Sequence, residues 1–275
     1  MKLSVSTLAC PNWSLPEIVG AAAAHGIAGI DLRGLGHEID VTREPSFEEG
    51  LDGTLELLRR HGITLPCLNT SIALVTAPPD RWQTMLEDCQ RHATLAQRCG
   101  AMFVRVFGGS VPKGMSREQA IILARRHLRQ LAKICTSHGC KVLLETHDDW
   151  STSREVLQVV GEFLPAEVGV LWDVEQTTRH REAPDETVRA LRPFIQHVHI
   201  KDSVNVDGKN VPRLLGAGDL PLNDVVRALR RIEYQGWICL ETEKRWHPQE
   251  APEPEESFPQ FVHFMRETWG IKAPS

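Results

Sequence analysis

The chain has 275 residues, 41% of them apolar, a formal net charge of −5 and no stretch rich in Lys and Arg. That length suits one large barrel domain or two small ones, and the acidic balance argues against a broad nucleic-acid footprint. No apolar run approaches the roughly 20 residues of a membrane span, and Met1–Thr7 reads as a strand, not as a signal peptide. Seven scattered cysteines form no Cys-x-x-Cys pair, and several adjoin apolar runs. This predicts reduced, buried thiols in a cytoplasmic protein.

In chain order, strands are predicted at Leu3–Ser6, Gly29–Leu32, Leu65–Asn69, Met102–Val106, Val142–Glu145, Val168–Trp172, His197–Ile200 and Trp237–Leu240. Their short apolar runs with little alternation suit strands buried on both faces of a parallel sheet. Ser14, Ser46 and Ser116 each stand three residues before Glu or Gln, the capping-box spacing, and open helices that run to His25, His61 and His138. Further helices are expected over Asp80–Cys99, Ser153–Phe163, Pro184–Leu191, Leu222–Ile232 and Glu256–Trp269. Gly26, Gly62, Gly100, Gly139 and Gly236 each stand between a helix end and the next strand, where a left-handed residue stops the helix. Eight strand–helix units in 275 residues predict a single (β/α)8 barrel with parallel strands, residues 1–275 forming one domain. A doubly wound sheet would want a Gly-rich turn after an early strand; the first strand leads to Cys10–Trp13 instead. The Pro- and Glu-rich stretch Pro248–Pro259 is read as a surface loop.

The chemistry concentrates on strands five to eight. Glu145, Asp173 and Glu241 each end an apolar run, and His199 stands within another. Neighbouring strands lie about 4.8 Å apart, so these four converge at one end of the sheet. In such barrels the active site lies at the C-terminal strand ends. A carboxylate at a strand end is more often a helix cap or a solvated loop residue, and Asp173 is most open to that reading. One buried His is usually a satisfied core residue, but His197 shares a strand face with His199. Four such residues at consecutive strand ends shift the balance towards a site, and three carboxylates crowded together call for a cation. An oxygen-rich set with one imidazole favours Mn²⁺ or Mg²⁺, with Co²⁺ or Zn²⁺ as alternatives. About two open positions on an octahedral ion would suit a substrate that chelates through neighbouring oxygens.

The runs Leu143–His147, Gly169–Asp173, His197–Asp202, Gly216–Leu220 and Leu240–Glu241 resemble, in order, motifs of the xylose-isomerase-like barrels that include sugar isomerases and epimerases. The resemblance spans nearly the whole chain. It implies that Glu145, Asp173, His199 and Glu241 bind one divalent metal, and that Glu145 and Glu241 are the acid/base pair. The ketose epimerase branch often has a His three residues after the Asp, where this chain has Gln176. The expected activity is metal-dependent isomerisation or epimerisation of a sugar, sugar phosphate or polyol ketone through an enediolate. A carboxylate removes the acidified proton; its return to the other face gives an epimer, and its return to the neighbouring carbon an isomer. Loss of a β-hydroxyl makes a keto-inositol-type dehydratase the alternative. An AP-endonuclease reading needs further ligands on strands two to four, whose ends offer Asp31, Asn69 and Arg105.

Substrate-binding candidates are His147 with Asp148 after strand five, Arg105 in strand four, Lys201 and Arg213 as basic loop residues, and Trp13 with Trp246 as covers for a sugar's apolar face. Arg105 in a buried strand needs a partner, and Glu145 on the next strand is the natural one. Single basic loop residues are more often solvated, and large aromatics more often pack. The expected partner is a small carbohydrate, with no nucleic acid and no membrane; a homo-oligomer is left open.

Overall fold

The computed structural model describes residues 1–75 and 81–271. In chain order the elements are β1 (Lys2–Ser6), α1 (Leu15–Ala24), β2 (Gly29–Asp31), α2 (Leu51–His61), β3 (Cys67–Ala73), α3 (Arg81–Cys99), β4 (Phe103–Phe107), α4 (Arg117–Ser137) and β5 (Lys141–Glu145). They continue with α5 (Ser153–Val160), β6 (Val168–Asp173), α6 (Val174–Arg179), α7 (Pro184–Leu191), β7 (Ile195–Ile200), β8 (Asp202–Val206), β9 (Lys209–Arg213), α8 (Leu222–Arg231), β10 (Trp237–Leu240) and α9 (Pro254–Glu267). Eight strands form one sheet in the order β2-β1-β10-β7-β6-β5-β4-β3. With parallel pairing and alternating helices, the chain is a (β/α)8 barrel. Among the described residues no helix is long and apolar enough to cross a membrane.

The chain divides into two compact units, Met1–Pro66 with Val198–Ser275, and Cys67–His197. In the first, β1 pairs with β2 on one side and β10 on the other, with Ser6 opposite Asp31 and Ser4 opposite Cys239. In the second, β3 to β6 pair in sequence, with Asn69 opposite Arg105 and Arg105 opposite Leu143. Cys67, Leu143 and Leu171 are fully buried together, with Phe103 packed against them. Helix α4 shows why the second unit holds: Ala120, Ala124, Leu128, Leu131 and Cys135 recur at helical spacing and are buried. Ser116 caps it reciprocally with Gln119, as its spacing predicts. Truncating Leu128 to Ala would cost about 2–5 kcal/mol in such a core.

Several local expectations are corrected. Ser46 does not cap a helix: Pro45–Phe47 is a 3₁₀ turn, and α2 starts only at Leu51. Gly50 and Gly53 disfavour an early helical turn, and the carbonyl of Ser46 instead accepts from the Thr54 hydroxyl at 2.7 Å. Gly26, Gly62, Gly100 and Gly139 adopt the expected left-handed conformation. After α8 that role falls to Glu233, φ 56°, two residues beyond the helix. Gly236 is needed for space, since a Cβ there would collide with Tyr234. The β8–β9 hairpin and α6 are not among the expected elements, although Val204 and Val206 alternate with polar residues and Asp207–Gly208, φ 49° and 83°, form the kind of turn that joins a hairpin. Helix α3 begins at Arg81 within the described residues; its expected start, Asp80, lies outside them. All cysteines but Cys99 are buried.

Candidate active site

Glu145 ends β5, Asp173 ends β6, His199 is the last residue but one of β7, and Glu241 follows β10 directly. All four are buried, at 1%, 0%, 0% and 5% exposure. A parallel strand buried on both faces delivers its last residue to the strand end with no solvent to screen it, so each such charge needs a partner.

In the unit Cys67–His197, the partner of Glu145 is Arg105, as its place on the neighbouring strand suggests. Its Nε lies 3.2 Å from Glu145 Oε2. The same Nε donates to Asn69 Oδ1 at 3.1 Å, and Nη1 donates to the Thr70 carbonyl at 3.0 Å. The guanidinium also stacks on Phe107, 3.9 Å from the ring centre. Asp173 does cap α6, with Oδ1 accepting from the amides of Glu175 and Gln176. The cap uses Oδ1 and leaves Oδ2 out, so capping does not exhaust this carboxylate. Thr146 fastens the two strand ends together, its hydroxyl accepting from the Asp173 amide at 2.8 Å and donating to the Asp173 carbonyl at 3.2 Å.

His147 follows at the start of a tight turn in which Asp148 is left-handed, φ 54°. Its Nδ1 meets Asp148 Oδ1 at 2.9 Å, and its ring leans on Phe107. Burial alone would lower its pKa, but the bond to Asp148 and the charges of Glu145 and Asp173 push it up to about 9. That shift registers a strong negative potential around the two carboxylates, which a bound cation would relieve.

In the other unit, His199 has a carboxylate on each side. Its Nε2 lies 3.4 Å from Asp31 Oδ2, and its Nδ1 lies 3.0 Å from Glu241 Oε1. Glu241 Oε2 accepts from Lys201 Nζ at 2.8 Å, and the same ammonium donates to Glu243 Oε1 at 2.7 Å. Burial would raise the pKa of Glu241, but the charges of His199 and Lys201 overcome it and hold the carboxyl well below the usual range. His199 Nδ1 and Glu241 Oε1 thus meet at ion-pair distance. A divalent ion taking the place of the proton between them would be shared by both atoms. Hard carboxylate oxygens with one imidazole suit a divalent ion in this position.

Lys201 is thus drawn into the charged cluster, whereas three other candidates are seen with partners or surroundings outside it. Arg213 is exposed at the end of β9 and donates to the Pro212 carbonyl. Trp13 packs edge-on against Phe258, with ring centres 6.1 Å apart. Trp246 is 51% exposed. His197 is buried against Phe103. The following residue run is fixed by Asp202, whose two oxygens accept from the amides of Ser203, Gly216, Gly218 and Leu220. Burial raises its pKa against the pull of those four amides. Gly218 is obligatory there because a Cβ would overlap the Asp202 carboxylate. Beyond the residues that the sequence singles out, Asp31 partners His199, Glu243 is the second partner of Lys201, and Asn69 with Thr70 hold Arg105. Asp31 ends its strand in the same way as Glu145 does, and Glu243 stands two residues after Glu241; both signals are legible afterwards.

Fold and strand-end residues together define a (β/α)8 barrel with ionisable groups buried at the ends of its strands. The chain belongs to the xylose isomerase-like TIM barrel family, whose model matches residues 19–268. It is 23% identical over 211 residues to a 3-dehydroshikimate dehydratase from Bacillus anthracis, covering 75% of this chain and 74% of that protein. The crystal structure of a probable 3-DHS dehydratase from the same organism superposes with a TM-score of 0.80 at 18% identity, over 97% of this chain and 99% of the other. IolI, solved with a bound zinc atom, gives 0.79 at 18% identity over 98% and 96%. The D-psicose 3-epimerase of Clostridium cellulolyticum gives 0.79 at 13% identity over 98% and 99%. The dehydratase and the epimerase are enzymes, and at these identities the superpositions speak for a common fold.

Proposed function

We propose that this protein is a divalent-metal-dependent enzyme that removes a proton next to the carbonyl of a small polyhydroxylated ketone. Glu145, Asp173, His199 and Glu241 are the proposed metal ligands, and Glu145 and Glu241 the proposed acid/base pair. The observation that carries this reading is the burial of four ionisable side chains at the ends of β5, β6, β7 and β10, with each glutamate at ion-pair distance from its own cation. A bound divalent ion supplies Lewis-acid polarisation of the carbonyl and the adjacent hydroxyl. Arg105 holds Glu145 in its charged form, fit to accept a proton from carbon. Lys201 does the same for Glu241 and brings a second proton-bearing group beside it. His147 and Lys201 are proposed to orient substrate hydroxyls; Arg105, Arg213 and Trp13 complete the proposed substrate contacts. Mn²⁺ or Mg²⁺ is the proposed ion for so oxygen-rich a set, with Zn²⁺ the alternative that the IolI structure favours.

The first reading is an isomerase or epimerase of a sugar, sugar phosphate or polyol ketone. A second is favoured by the dehydratase relative: the same proton abstraction, followed by loss of a β-hydroxyl, makes the enzyme a lyase. Turnover of ketoses, inososes and 3-dehydroshikimate in deuterium oxide with added Mn²⁺ separates them. An epimerase or isomerase returns deuterated substrate isomers of unchanged hydration. A lyase releases water and a conjugated product. Elemental analysis should find about one divalent ion per chain, and three zinc ions would instead revive the endonuclease reading.

A further inference from the structure

We infer that Asp31 is a positioning residue for the metal centre: it fixes the His199 ring so that Nδ1, and not Nε2, faces the ion. This rests on the metal reading above and adds to it a residue outside the four ligands. The two ring nitrogens of an imidazole point away from one another, so one ion takes only one of them. Asp31 Oδ2 stands at Nε2, 3.4 Å away, and Glu241 Oε1 stands at Nδ1, 3.0 Å away. One carboxylate therefore shares the ion with His199, and the other holds the ring from behind.

Burial decides which is which. The Asp31 side is closed: Asp31, Ser4 and Cys239 are all at 0% exposure, and Cys239 lies within 4.8 Å of both Asp31 and His199. On the other side Glu241 leads through Lys201 to Glu243, whose side chain is 27% exposed. An ion and its substrate need the open side. Asp31 Oδ2, an acceptor at Nε2 on the closed side, holds the ring so that Nδ1 points to the open side beside Glu241. Carboxylates that hold a ligating His from its far nitrogen typically account for 10–100-fold in metal affinity.

The test is Mn²⁺ affinity of the purified full chain, measured by titration calorimetry or by the free-Mn²⁺ electron paramagnetic resonance signal. Asp31→Ala should weaken Mn²⁺ binding about 10–100-fold. Asp31→Asn, which keeps an acceptor oxygen of the same reach, should recover most of that loss. With Zn²⁺ as a diamagnetic ion, two-bond proton–nitrogen spectra should show His199 as the Nε2–H tautomer in wild type and a mixture in Asp31→Ala. A thermal melt of each variant checks folding; if Asp31→Ala does not fold, the Asp31→Asn affinity and tautomer spectrum carry the test alone, and a wild-type spectrum with weakened binding would count against the idea. Wild-type affinity in Asp31→Ala, with affinity lost in His199→Ala, would overturn this inference and leave the metal reading standing. Unchanged affinity in His199→Ala as well would overturn both.

Discussion

The two glutamates with proposed proton-transfer roles are both buried at strand ends and both paired with a cation, yet their partners differ in kind. Arg105 beside Glu145 is clamped by Asn69, the Thr70 carbonyl and the face of Phe107. A guanidinium does not give up its proton, so this partner is a fixed strut with a fixed charge. Lys201 beside Glu241 is shared with a second carboxylate, Glu243, on the way to solvent. An ammonium is a compact charge on a flexible stem, and it can exchange protons with both neighbours. The comparison teaches that burying a carboxylate demands a counter-charge, while the choice of Arg or Lys sets whether that counter-charge can also move a proton. Glu145 is thereby the better candidate for a base of constant strength, and Glu241 for the group reprotonated from solvent.

The largest expected effect tests whether both glutamates act. Glu145→Gln and Glu241→Gln should each slow deuterium exchange at the carbon next to the carbonyl by about 10²–10⁴-fold, since an amide cannot accept that proton. Near wild-type exchange in either variant would break the pairing and move the search for a base to His147, His197 or Lys201.

Stability should rank the two cations. Arg105→Met leaves Glu145 buried without its strut and should cost about 3–5 kcal/mol in urea denaturation. Lys201→Met should cost less, because Glu241 keeps His199 at 3.0 Å and Glu243 is partly exposed and can be solvated. The reverse order would mean that the Lys201 cluster, not the Arg105 clamp, is the structural one.

A smaller, pH-dependent effect probes the potential around Glu145 and Asp173. In the metal-free protein His147 has its folded pKa raised from 6.5 to about 9. Its protonation therefore contributes stability that is fully present below about pH 6.5 and is lost as pH rises through about 9. Denaturation midpoints of wild type should fall across that window, and His147→Gln should flatten the fall. Adding a divalent ion should lower the His147 pKa, as seen in its ring proton shifts. An unmoved pKa would separate His147 from the proposed metal carboxylates.

The smallest effect is a control away from both clusters. Ser116→Ala removes the cap of α4 and should cost about 1 kcal/mol without altering exchange or metal affinity. A change in either would show that α4 is coupled to the chemistry after all.

Much of this architecture was legible in advance because its signals are local. Short apolar runs located the eight barrel strands to within a few residues, five of them preceded by a Gly that marks the helix end, and Ser116 with Gln119 announced a real cap. Ser46 carried the same spacing and misled, because Gly50 and Gly53 weaken the turns that would have followed. The pairing of Arg105 with Glu145 could be read because adjacent parallel strands place neighbours predictably. The metal-ligand set remains a proposal in both the sequence and the structure.

By itself, then, the sequence determined the alternation of strand and helix, the fold class it implies, and the strand ends that carry ionisable groups. These follow from periodicity and from residues near one another along the chain. Only the tertiary structure decided that Asp31 stands behind His199, 168 positions away in sequence, and that one ammonium serves both Glu241 and Glu243. It also decided that Asp173 caps a helix with one oxygen. Such contacts depend on the register and side-chain direction of distant strands. No local pattern encodes these, because the free energy that selects them arises from burying several charges together.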